Sequence, residues 1–213
     1  MKKTNLLLPI SILVLSTLLV RFIAFYVLAD TQLENEWFII IHNLALKGVL
    51  GINVAVDSFT AIPKLAEHED IVLPSVFMPP FYSYYIYFFK YFFSNFTNYI
   101  NLIIFSQILL STVAIYLFFE IIRMSYSFNY SILFSLIFSL VPINIYSSVQ
   151  ISSVSIQIFL IIYFLYILKK FSLKEAHFQR LKIISILYEL LIHLRGEFIL
   201  FHLFRLIYYF IFI

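Results

Sequence analysis

The chain has no cysteine, only three glycines and a single tryptophan in 213 residues. Without thiols, disulfides and thiolate metal centres are excluded. So little glycine leaves little room for flexible linkers, and no Walker loop, GxGxxG turn or nucleophile elbow is present. Charge is scarce as well: 12% of the residues are charged, against about 25% in a soluble domain. What fills the chain is apolar: 63% of residues are hydrophobic, Phe and Tyr dominate the aromatics, and mean hydropathy is +1.00. Apolar runs of about 18 residues or more recur, the mark of a multi-span membrane protein.

The expected fold class is all-α, a polytopic membrane helical bundle of five or six spans with one extracytoplasmic loop bearing an interfacial helix. Residues 1–29 read as a signal anchor. Lys2 and Lys3 precede an apolar run from Leu6 to Ala29 that Arg21 interrupts, and the run is longer than the roughly 7–15 residues of a cleavable signal core. Arg21 lies toward the far end of this helix, where its head can snorkel outward. Residues 30–78 read as an acidic loop. Between Asp30 and Val72 stand seven acids (Asp30, Glu34, Glu36, Asp57, Glu67, Glu69, Asp70) against Lys47 and Lys64. A loop so poor in Lys and Arg belongs outside the cytoplasm, with the N-terminus inside. Within it, Glu36 to Lys47 predicts a short helix stopped by Gly48, lying in the interface with Trp37 at headgroup depth.

Residues 79–213 read as the membrane bundle. Apolar runs follow at Pro80–Phe93, Tyr99–Ile122, Ser131–Tyr146, Ile151–Leu168 and Ile183–Ile213. If the first of these spans, Arg123 and the cluster Lys169, Lys170, Lys174, Arg180 and Lys182 fall outside. If it is interfacial or re-entrant, they fall inside, as the positive-inside rule favours. The cluster reads as an orientation signal that can touch anionic headgroups of membrane lipids; nucleic acid is not an expected partner.

Four constellations carry possible chemistry, and each has a plainer reading beside it. Asp30, Glu34 and Glu36 follow the first span directly. They suit a general base facing a membrane-embedded substrate, or a solvated helix cap. Phe77-Met78-Pro79-Pro80-Phe81-Tyr82 suits a rigid loop against an active site, or simply a helix start, since proline needs no amide donor there. Arg195 and Glu197 lie inside an apolar run, where a charge costs about 2.5–3.5 kcal/mol. They suit recognition of a phosphate-bearing lipid by a guanidinium, or an interfacial loop between half-helices. The stretch Pro142 to Ser153 suits a cavity lining or an interhelical turn. The histidines show no metal spacing, so no metal and no cofactor is expected.

The order of these features resembles one family. An anchor helix is followed by an acidic turn with Glu34, Glu36 and Trp37, then a helix containing Asn43 and Leu44 and ending at Gly48, then Met78-Pro79-Pro80 with Tyr82. This looks like the polytopic GT-C glycosyltransferases, in particular the bacterial relatives of protein mannosyltransferases and lipid A aminoarabinose transferase. Arg195-Gly196-Glu197 looks like the Arg-Pro-Glu of a later span in such proteins. The resemblance implies a polyprenyl-phosphate-linked sugar donor, a lipid, glycan or protein acceptor, and location in the cell (inner) membrane. It implies that Glu34 or Glu36 is the catalytic base, with Asp30, Pro80, Tyr82, Arg195 and Glu197 around the substrate. Glu34 stands where the family usually has Asp. Family members usually carry more spans and often a C-terminal domain, so the chain reads as the N-terminal part of such an enzyme. Two other classes compete: a small transporter or flippase subunit, and an inactive membrane scaffold.

Overall fold

The computed structural model describes residues 7–31, 33, 35–56, 63–65, 72–74, 79–93, 98–172 and 178–194. They are mostly helical and divide into two compact units, residues 1–31 with 103–213, and residues 32–102.

The first unit is a bundle. Helix α1 (Leu7–Leu28) is apolar, with Arg21 its one charged residue, over the length that a bilayer requires. Leu13, Thr17, Arg21 and Ala24, spaced four, four and three residues apart, are buried on one face. Leu8, Ile12, Leu15, Leu19 and Ile23 stay exposed on the other, as suits lipid. Helix α4 (Tyr99–Arg123), whose first residues belong to the other unit, runs antiparallel to α1. Leu13 packs with Ile115 and Phe119, Arg21 meets Ser111, and the Phe25 and Phe105 rings lie 5.1 Å apart.

Helices α5 (Phe128–Ser139) and α6 (Pro142–Val149) form one path bent by 56°. Pro142 sets the bend: it has no amide donor, and it holds Val141 extended. The Asn144 side chain donates to the Phe138 carbonyl at 2.9 Å, on the same oxygen that accepts from the Val141 amide at 3.4 Å, and so braces the break. Ser131, Ser135 and Ser139 form a buried small-residue seam on α5. Such a seam lets neighbouring helices approach, and all three hydroxyls bond back along the helix, Ser131 to the Ser127 carbonyl, Ser135 to the Ser131 carbonyl and Ser139 to the Leu136 carbonyl. Phe128 packs beside Phe119 and Leu13, near the start of α1. The Gln150 side-chain amide bonds the Leu28 carbonyl at the end of α1. The bent pair therefore travels the length of α1. Helix α7 (Ser153–Ser172) starts at that same end, where Ser155 donates to the Gln107 carbonyl. Helix α8 (Phe178–Leu194) packs against α7.

Among the described residues, three helices are long and apolar enough to cross a membrane: α1, α4 and α7. The bent pair makes a fourth if counted as one span. This makes the chain a membrane protein with three to four candidate spans among the described residues. Sequence hydropathy suggested five or six. The run Ser131–Tyr146 is instead divided by the bend. Much of the last expected run, residues 195–213, lies outside the described residues.

The second unit contains what the all-α expectation lacked, a small sheet. Helix α2 (Asn35–Lys47) ends at Gly48, whose φ of +68° is the left-handed stop open to glycine. Strand β1 (Gly51–Val56) follows, and pairs antiparallel with both β2 (Pro63–Leu65) and β3 (Val72–Pro74), in the order β2-β1-β3. Val54 faces Leu65 and Ile52 faces Leu73 in the register. Buried Asn43 ties α2 to the sheet, its Nδ2 donating to the Gly51 carbonyl at 2.9 Å. Helix α3 (Pro80–Phe93) opens with Pro80 and has 14 residues. At 1.5 Å per residue it covers about 21 Å, short of the roughly 30 Å hydrocarbon core.

Candidate active site

The sequence motifs of the second unit meet at two aromatic rings. Trp37 sits in the first turn of α2 and is 6% exposed; Tyr82 sits in the first turn of α3 and is fully buried. Their ring centroids are 5.0 Å apart at 74°, an edge-to-face contact. Tyr82 also stacks on Tyr85, 5.8 Å away. The prolines before Tyr82 start α3 so that its first turn presents this ring, and the Ser83 amide and hydroxyl both bond the Pro79 carbonyl, closing that turn. Farther along, the Lys90 ammonium lies 5.9 Å from the centre of the Phe38 ring. Partial burial lowers the pKa of that ammonium below its ordinary value. Trp37 of α2 is thus packed against α3 through Tyr82.

Each expected site residue can now be located. Glu36 is the second residue of α2, directly before Trp37, where the positive end of the helix dipole favours a carboxylate; its side chain lies outside the described residues. Glu34, Arg195 and Glu197 also lie outside them. Pro80 is exposed at the start of α3. Asp30 is exposed just past the end of α1, in the bundle unit. Trp37, Asn43, Leu44 and Tyr82 are all buried. The structure thus brings together the aromatic residues of two motifs 45 positions apart (82 minus 37). Among the described residues no group of three or more His, Asp or Glu side chains is placed to hold a metal ion.

Comparison with known proteins returns no matching family model, no matching curated protein and no matching solved structure.

Two further features escaped the sequence reading. Arg21 does not snorkel. It is 0% exposed, its Nε donates to Ser111 Oγ at 2.9 Å, and its Nη1 donates to the Thr17 carbonyl at 3.3 Å. The signal for this was the buried stripe itself, since Arg21 falls in phase with Leu13, Thr17 and Ala24. The stretch Pro142 to Ser153 is not a plain turn. Its first eight residues form α6, and Asn144, Ser147 and Ser148 are buried. An apolar groove of about 410 Å³, with Phe118, Ile122 and Phe138 in its wall, lies toward the end of α4 and away from Asp30.

Proposed function

We propose that this chain is a membrane glycosyltransferase, or the N-terminal part of one, acting at the outer face of the cytoplasmic membrane. It takes its sugar from a polyprenyl-phosphate-linked donor. The observation that carries the reading is the Trp37–Tyr82 contact, because it joins the two segments on which the family resemblance rests. In the reaction, Glu34 or Glu36 accepts the proton of the acceptor hydroxyl. The acceptor oxygen bonds to the anomeric carbon, and the bond from that carbon to the donor phosphate oxygen breaks. The phosphate leaves with the electron pair. Holding the acceptor hydroxyl and donor phosphate in register supplies the rest of the acceleration.

The bundle supports the sidedness. The end of α1, the end of α6 and the start of α7 lie together, and Asp30 follows the end of α1. Arg123 ends α4, which is antiparallel to α1, and Lys169 and Lys170 fall in the last turn of α7. With α3 in the interface rather than across the membrane, the positive-inside rule then places the acids outside and these cations inside.

Proteoliposomes holding the chain, a radiolabelled polyprenyl-phosphate pentose or hexose, and an acceptor-containing membrane extract test the reading. Covalent label in the acceptor, absent without the chain, is the expected result. No transfer from any donor of the panel overturns it. The bent pair and its buried polar side chains favour one rival, a transporter or flippase subunit. That rival predicts donor crossing the bilayer with no covalent transfer.

A further inference from the structure

The interior of the bundle holds a cation that the transfer reading does not use. Arg21 lies seven residues before the end of α1, about 10 Å deep along the helix axis. Its two hydrogen bonds within the protein go to a hydroxyl and a carbonyl, both uncharged. Its Nη2 is buried and has no hydrogen-bond partner among the described residues. A guanidinium has five N–H donors and stays charged at any ordinary pH. A buried donor left unsatisfied costs about 1–3 kcal/mol, and more when charged. A second group in this unit is in the same position: the Ser147 hydroxyl is buried without a partner, on α6, which packs against α1. Ser111 already meets the guanidinium through Nε. A fully apolar packing would have excluded such groups, so they call for a ligand with several acceptor oxygens and a negative charge.

We propose that Arg21 anchors a binding site for a phosphate group inside the helical bundle. The free Nη2 edge donates to phosphate oxygens, beside the Ser111 hydroxyl that already meets the guanidinium through Nε. Phosphate fits because its oxygens accept paired, charge-assisted bonds from a guanidinium. Exchange of the ligand requires a local opening of the bundle around the buried guanidinium. The site does not depend on sugar transfer: it stands if the chain binds phosphate and transfers nothing.

The test is equilibrium binding of radiolabelled farnesyl phosphate to the full chain in nanodiscs of zwitterionic lipid, with inorganic phosphate as competitor. The wild type is expected to bind saturably. Arg21→Gln is expected to weaken binding about 10- to 100-fold, the loss of one or more charged hydrogen bonds. Arg21→Lys keeps the charge without the fork and is expected to fall between them. Displacement by inorganic phosphate at matching concentrations identifies a free phosphate as the ligand; resistance to it identifies a lipid-borne one. Either supports the site. If Arg21→Gln does not insert, Arg21→Lys and the wild type carry the test. No saturable binding by the wild type overturns the proposal, as does equal affinity in the arginine variants. Sugar transfer is read separately in the proteoliposomes: Arg21-dependent binding without transfer removes the transfer reading and leaves this site, whereas transfer without Arg21-dependent binding removes the site alone.

Discussion

Replacing Glu36 or Glu34 by glutamine is expected to lower sugar transfer by about 100- to 10,000-fold at whichever position supplies the base. Glutamine keeps the shape and the hydrogen-bonding reach of glutamate but cannot accept the acceptor's proton. The other position should retain most of its activity, so the pair of variants assigns the role. Glu36 is the stronger candidate because it precedes Trp37 in the first turn of α2, and Trp37 is held by Tyr82 of α3. Both variants should insert and purify as the wild type does, because Glu→Gln keeps the size and shape of the side chain. The measurement is initial rate of label transfer at saturating donor. Wild-type rates in both variants would remove the carboxylate assignment altogether.

Tyr82→Ala should destabilise the second unit by about 3–5 kcal/mol, the range for deleting a large buried aromatic ring. Tyr82 is fully buried, touches Trp37 edge to face and stacks on Tyr85. No water-filled space can replace those contacts, so the ring's removal leaves a cavity and frees the start of α2. Tyr82→Phe keeps the ring and should cost only about 0.5–1.5 kcal/mol for the hydroxyl. Trp37 is the chain's single tryptophan, so its emission reports the effect directly. The alanine variant should shift emission to longer wavelength and unfold at lower denaturant in mixed micelles. Unchanged emission and midpoint would mean that the two motif segments do not pack as described.

What the sequence made legible follows hydropathy. The long apolar runs of α1 and α4 were found nearly to the residue, because only a helix buries that many backbone groups in lipid. Helix α2 was found from its acidic start and its Gly48 stop. Hydropathy says nothing of direction, so the 56° bend at Pro142 was invisible within the run from Ser131 to Tyr146. The sheet was missed although Ile52, Val54 and Val56 alternate on β1, a period-2 signal overshadowed by the acids around it. The burial of Arg21 was missed for the opposite reason. A lone cation near a helix end was read as snorkelling, when its phase with Leu13 and Thr17 turned it inward to Ser111. For the candidate site, the order of motifs could be read from the chain, whereas the contact between Trp37 and Tyr82 depends on how α2 and α3 pack.

The whole reading depends on the acidic turn and the cationic helix ends lying at opposite faces of the membrane. The absence of cysteine makes that directly measurable by single substitutions. Thr31→Cys and Gln150→Cys, at the joined ends of α1 and α6, should react with a membrane-impermeant maleimide on right-side-out vesicles. Tyr126→Cys, exposed in the turn after α4, and Lys170→Cys, in the last turn of α7, should react only after permeabilisation. Labelling of Thr31→Cys and Tyr126→Cys from the same side would contradict the account, because α4 would then not cross between them.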